Sequence, residues 1–487
     1  MQSIMKKRGF ALLAFFMAVV LVLTACGGGK NNSNSSNSGS TSAGAGSSNS
    51  GSSGGPGGSG DAGGSSDGGS DAGASGGESY LAQAYNGAFK GTVVTMYGPF
   101  TDADEMKFNE SIKEFEEKTG IDIQYEGSKE FEATIGVRIN GGNAPDIADF
   151  PQPGLLKTFV KDGKVIDVRT FLSDDYLKQQ YAQSWLDMAT MPGPNGDVMA
   201  GIWARSSVKS LVWYNKKEFE AAGYTIPKTW DELLALTEQI AADGDPAWAI
   251  GIESGAATGW PATDWVEDIM LRTTSPENYD KWVNGELPFT DPIVRNAIEK
   301  MSEIWFNEEY VYGGRKSIVQ TSFGDAVKVL FDNPPKAWLH RQAGFITSFF
   351  PEGLTEEDFD WFPFPSIDPQ YGTPALISGD IYAMFNDRPE VRAVMEFFTT
   401  AESLKTWIQS GGVTPPMNGA DPSWYPNEAE RKMADFLQSA SAIRFDGSDL
   451  MPGSVGAGTF WKGMTDYVSG TATLDQALET IQSGWNQ

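Results

Sequence analysis

Residues 27–79 carry no Val, Ile, Leu, Met or aromatic side chain. A segment with nothing to bury cannot offset the entropy of ordering its own backbone, so it stays a flexible coil. At about 53 residues such a coil has an r.m.s. span of roughly 40 Å and a full extension several times that. It reads as a passive spacer. It also divides the chain into a short front piece and a body, 80–487, of about 400 residues, longer than one hydrophobic core organises. Two lobes are the expectation for that body.

The front piece has the layout of a secretory leader. Lys6, Lys7 and Arg8 precede an unbroken apolar run over 10–23. At about 14 residues the run fits the ~7–15 of a signal peptide and falls short of the ~20 a membrane span needs. It ends in Leu23-Thr24-Ala25-Cys26, and Cys26 is the only cysteine of the chain. That tetrapeptide resembles the lipobox of bacterial lipoproteins, whose cysteine receives diacylglycerol. The resemblance implies a signal peptide over 1–25, a lipidated Cys26, and a body held on the extracellular face of a bacterial plasma membrane. The plainer alternative is a leader cut after Ala25 that leaves an incidental thiol. With Cys26 committed to lipid, no disulfide forms and stability rests on packing.

The charge balance narrows the partners. The chain carries 36 Lys and Arg against 64 Asp and Glu, a formal net charge of -28, and loss of the leader's three cations makes it -31. Such a body repels nucleic acid and anionic headgroups. One histidine, His340, is present, so a multi-histidine zinc site is impossible and a histidine triad would have to use that residue. A glycosidase needs two carboxylates at a set separation; among this many acids the sequence singles out no pair.

The body opens with alternating elements. A strand over 92–97 is broken by Gly98-Pro99. A helix starts near Asp102, with Glu105 placed as in a capping box, and Phe108, Ile112 and Phe115 recur at helical spacing until Gly120. A second strand over 121–125, a helix carrying Phe131, Ile135 and Ile139, and a third strand over 146–150 follow. Strand, helix, strand, helix, strand with short connections predicts an α/β fold with a parallel sheet, and ligands sit beyond the carboxyl ends of such strands. That places Tyr97, Glu126, Asp149 and Gln152 along one rim. Later segments are more helical: Thr229-Trp230-Asp231-Glu232 predicts a helix start, as does Arg388-Pro389-Glu390, and 473–481 predicts a closing helix.

All fifteen tryptophans lie beyond residue 180. Two predicted loops stand out. In 259–265, Trp260 and Trp265 flank a proline turn near Asp264, and Phe460-Trp461 follow the glycine-rich stretch 453–458. A sugar ring presents an apolar C–H face and a rim of hydroxyls; an indole matches the face, while Asp, Gln or Arg matches the rim. Asp380 follows a glycine at a strand mouth, Arg341 ends a strand, and Lys209 precedes the apolar run 211–214. Each is a candidate rim group, with a helix or turn cap as the plain alternative for Asp380 and a solvated side chain for Lys209. For His340 a satisfied buried histidine is the better reading.

Several motifs together carry a family resemblance. Glu114-Phe115-Glu116-Glu117-Lys118-Thr119-Gly120-Ile121, Gly142-Asn143-Ala144-Pro145-Asp146-Ile147, Trp213-Tyr214-Asn215-Lys216 and 226–233 resemble the extracellular solute-binding proteins of carbohydrate ABC importers. The stretches 149–156 and 209–214 look like the α-glucoside-binding branch, related to maltose-binding protein. The resemblance implies a two-lobed periplasmic-binding-protein fold with hinge crossovers and a ligand cleft between the lobes, approximately 89–198 plus 340–387 against 199–339 plus 388–487. It implies a monomeric, cofactor-free and metal-free receptor, not an enzyme, that hands a small oligosaccharide such as maltose or trehalose to ABC permease subunits. By the same resemblance Trp260, Phe460 and Trp461 stack on the sugar, with cleft contacts near Asp149 and Gln152. A tethered extracellular glycosidase and a wall-polysaccharide-binding module are the alternatives.

Overall fold

The computed structural model describes residues 78–486; the leader, Cys26 and the 27–77 part of the spacer lie outside them. Strand β1 (Val93–Gly98) pairs in parallel with β2 (Asp122–Gly127) and β3 (Ile147–Phe150). Helices Asp102–Thr119 and Phe131–Asn140 cross between them and bury Phe108, Ile112, Phe115, Ile135 and Ile139. Gly120 ends the first helix in a left-handed conformation at φ 71°, which costs glycine nothing. The expected capping box at Asp102 is absent: the Thr101 hydroxyl donates to the Asp102 carboxylate instead of capping the helix.

With β6 (Ile202–Val208), β10 (Ala375–Met384) and β11 (Ile443–Phe445), the first sheet runs β11-β10-β3-β1-β2, and β6 also pairs with β10. β10 is antiparallel to β3 and β6 and parallel to β11. The second sheet has β7 (Leu211–Asn215) between β8 (Leu339–Arg341) and β9 (Phe359–Pro363), all antiparallel. A hairpin of β4 (Thr190–Gly193) and β5 (Gly196–Met199) stands apart. The helix at Trp230–Asp243 starts where the sequence predicts, and it opens with a capping box of Thr229 and Glu232. Among the described residues no helix is long and apolar enough to cross a membrane.

One hydrophobic core surrounds the first sheet and takes in Phe397, Trp407 and Val413; a second fills the helical body over the second sheet; a third, smaller one lies around Trp213 and Trp361. The expected lobe division put 340–387 with the first lobe and 388–487 with the second. Strand pairing and packing distribute them otherwise: β8 and β9 join β7, and the 389–417 helices cover the first sheet. Two predicted loops are helical. Pro261 in 259–265 sits in the first turn of helix Trp260–Thr273, where its missing N–H is not needed. The stretch 454–460 is a π-helical turn running into helix Trp461–Ser469. Gly456 is there for close approach, since a Cβ would stand 1.8 Å from the Ser448 carbonyl oxygen.

Candidate functional site

A cleft forms where β10 runs between two partners. Along one edge 377–382 pair with β6; along the other, 375–377 pair with β11 and 381–384 with β3. Residues 378–380 therefore face a gap in the sheet. Ser378, Gly379 and Asp380, with Arg205, Ser206 and Ser207 opposite, make the cleft floor. Phe100, Asp104, Glu132 and Gln152 come from the β1–β3 side, and Trp260, Phe323, Phe345 and Trp461 from the other.

Arg205 organises the first wall. Its Nε donates to Asp380 Oδ2 at 2.6 Å and its Nη1 to Asp104 Oδ2 at 3.3 Å. The guanidinium lies 4.0 Å from the Phe100 ring centre and 4.8 Å from that of Trp407, a cation–π seat. Burial alone would lower its pKa, but the carboxylates of Asp380, Asp104 and Asp149 outweigh it and raise it. Asp149, behind this wall, is buried with neither oxygen hydrogen-bonded; burial, then the Asp380 carboxylate, pushes its pKa well above the ordinary carboxyl value. Burial likewise raises Glu132 to about 7. Asp104 Oδ1 and Gln152 Oε1, both buried on the wall, also lack a partner. This side offers acceptors that nothing in the protein satisfies.

The opposite wall is aromatic. The Trp260 ring is half-buried, edge-on to Phe323 at 5.1 Å and near Phe345 at 5.9 Å. Lys209 Nζ lies 5.1 Å from its centre. That ammonium is held by Asp264 at 2.9 Å and by Asp446; burial lowers its pKa, but the two acids more than reverse this and it stays charged. The oxygens of Asp264, Glu267 and Asp446 lie within 4.8 Å of one another, yet the Lys209 ammonium and the Gly447 and Ser448 N–H groups already serve them. Trp461 Nε1 donates to Ser448 Oγ at 3.2 Å.

The structure brings together Gln152, Lys209, Trp260, Asp380 and Trp461 from the residues the sequence pointed to. It places the others elsewhere. Tyr97 is buried, its hydroxyl 2.6 Å from Thr134 Oγ1, beneath the Arg138 guanidinium. Glu126 pairs with Arg138 at 2.8 and 2.5 Å away from the cleft. Trp265 packs on Trp248, Trp305 and Phe364. Arg341 is fully buried between Asp264 and Asp268. Phe460 is in the core against Trp282 and Phe289. His340 is buried, with Nδ1 2.8 Å from the Ala249 carbonyl oxygen. Sequence reasoning missed Asp104, Arg205, Phe323 and Phe345. Arg205 left one trace: a lone cation inside the strand Ile-Trp-Ala-Arg-Ser-Ser-Val must find a buried acid.

Comparisons with known proteins converge on one family. A model of the bacterial extracellular solute-binding proteins matches residues 102–405. The osmoprotective compounds-binding protein GgtB of Synechocystis sp. is 44% identical over 392 residues, spanning 80% of this chain and 92% of that protein. The alpha-glucosides-binding periplasmic protein AglE of Rhizobium meliloti is 42% identical over 407 residues, 82% and 88% of the two chains. Among solved structures, maltose-bound MalE3 of T. maritima superposes with a TM-score of 0.63 at 14% identity, over 81% of this chain and 99% of that one. A chitin oligosaccharide binding protein gives 0.69 at 18%, over 81% and 98%. These likenesses show the two-lobed α/β fold.

Proposed function

We propose that this chain, which belongs to the bacterial extracellular solute-binding proteins, is a lipid-anchored receptor that captures a small neutral saccharide, an α-glucoside, and presents it to an ABC permease. The observation that carries the reading is the pairing of walls: buried acceptors without donors on one side, a half-buried indole lining the cleft on the other. Saccharide hydroxyls supply the missing donors to Asp104 Oδ1 and Gln152 Oε1, which remain costly while unpaired. The apolar ring face covers Trp260, beside Trp461. The name of AglE, an alpha-glucosides-binding protein 42% identical to this chain, supports the ligand class.

No bond is made or broken in this scheme. A saccharide touching both walls favours the closed arrangement by its differential affinity for it. The two lobes follow the cores: the first around β1–β3 with the 389–417 helices, the second around β7–β9 with the 461–483 helices. Cys26 and the spacer then hold the receptor at the membrane; Cys26→Ser should release it into the medium. Calorimetry against trehalose, maltose, other neutral sugars, polyols and a phosphorylated glucoside tests the ligand. One-to-one binding of an α-glucoside, recovered uncut, with none of the phosphorylated sugar, is expected. Silence across the neutral panel, or a cleaved product, would overturn it.

A further inference from the structure

Behind the aromatic wall, one buried carboxylate serves both indoles. Asp446 precedes the short helix Gly447–Leu450 and caps it, and its two oxygens divide the work. Oδ2 takes the Lys209 ammonium, which stands 5.1 Å from the Trp260 ring centre. Oδ1 accepts from Asp449 N at 2.9 Å and lies 2.8 Å from Ser448 Oγ. With both oxygens accepting, the Ser448 hydroxyl donates its one proton to Asp446 and keeps its lone pairs for other donors. Trp461 Nε1, which can only donate, meets them at 3.2 Å. Thr263 Oγ1 lies at the same distance and can turn its own proton to Ser448 or to the Trp260 carbonyl oxygen, 2.9 Å away. The direction of the relay is therefore fixed from the ion pair outward: Lys209, Asp446, Ser448, Trp461.

Ser448 has little freedom to follow a moving ring. Its N–H donates to Glu267 Oε1 at 2.9 Å, and its carbonyl oxygen faces Gly456, where a Cβ would stand 1.8 Å away. Gly456 belongs to the π-helical turn Ser454–Phe460, and the next residue is Trp461. The turn that delivers Trp461 to the cleft is thus seated on the residue that receives its indole. Ser448 is buried behind the cleft lining, so it reaches a ligand only through Trp461.

We propose that Ser448 is a positioning residue for saccharide binding: its hydroxyl, oriented by Asp446, fixes the plane of the Trp461 indole beside Trp260. Without that acceptor the indole N–H is buried with no partner, and the ring gains by turning away to find one. The same carboxylate keeps Lys209 next to Trp260, so a single acid sets how the two platforms stand to each other. The anchor rests on the hydrogen bonds alone; its effect on affinity rests on the saccharide-receptor reading.

Tryptophan-selective NMR and calorimetry on the full chain test the two parts separately. The indole N–H signal missing from Trp461→Phe identifies Trp461. Ser448→Ala should shift that signal, keep a cooperative melting transition, and weaken trehalose binding about tenfold. Trp461→Phe should weaken binding by a similar factor, and adding Ser448→Ala to it should cost less than about twofold more, because both act through one contact. Ser448→Cys, whose thiol accepts weakly, should fall between serine and alanine in both readouts, and it carries the comparison if the alanine variant does not fold. An unmoved Trp461 signal, an unchanged affinity, or an equal loss with and without the Trp461 indole overturns the proposal. If the signal moves but even the unaltered chain takes up no trehalose, the anchor stands and the ligand reading fails.

Discussion

Arg205 holds Asp104 and Asp380 from between two aromatic rings, so its loss leaves two acids buried without their counter-ion. Breaking a buried pair in this way costs about 3–5 kcal/mol, and Arg205→Met should show it as a lowered denaturation midpoint with loss of saccharide binding. Trp260→Ala, by contrast, should fold normally and lose about tenfold to a hundredfold in affinity, measured by calorimetry. His340 offers a direct check on burial. Desolvation holds its pKa at about 4, below the ordinary 6.5. The unfolded chain therefore takes up that proton first, and the stability it contributes is full above 6.5 and lost as pH falls through 4. As the one histidine it gives a single imidazole NMR signal, which should titrate near 4. Glu430 acts in the opposite direction: burial raises its pKa from 4.5 to about 7. Its contribution is present below 4.5 and lost as pH rises through 7, so Glu430→Gln should flatten the fall in stability between pH 4.5 and 7. At this scale the sequence showed which residue types matter and not which way they point. Trp260 and Trp265 are five positions apart on one helix, so one faces the cleft and the other the core. Phe460 and Trp461 diverge for the same reason. Helix phase is set by partners on other elements, Trp248, Trp305 and Phe364 for Trp265 and Trp282 and Phe289 for Phe460.

Elements were legible where a local signal and a long period agreed. The opening strands and helices follow from the spacing of Phe108, Ile112 and Phe115 and from the terminal Gly120. The Thr229 start follows from its own capping box, in which Thr229 Oγ1 accepts from Glu232 N at 3.3 Å. Thr229→Ala should cost about 1 kcal/mol, seen as faster exchange in the first turn of that helix. Elements were misread where composition and context disagree. Gly259 and Pro261 read as a turn, yet Gly259 at φ 116° and a proline in the first turn together start a helix. The 453–458 glycines read as a loop, yet they let a π-helical turn press against the Ser448 carbonyl. Close approach between distant segments has no signature in the nearby sequence.

The whole molecule is acidic and two-lobed, and both properties were readable from charge and length. The lobe boundaries were not. Strand β10 alone touches β3, β6 and β11, so its neighbours depend on pairings across 68 residues to β11, 169–180 to β6 and 231–237 to β3. The walls of the cleft bring together a helix start near 104, a strand near 205, a helix start at 260 and another at 461, and only folding makes them one surface. The most direct measurement is a crystal structure of the chain grown with trehalose. The account predicts one sugar in the cleft, its apolar face on Trp260 and hydroxyls within about 3 Å of Asp104 Oδ1 and Gln152 Oε1. A sugar bound elsewhere on the surface, or a Trp260 face covered by protein with the cleft acceptors still unpaired, would contradict it.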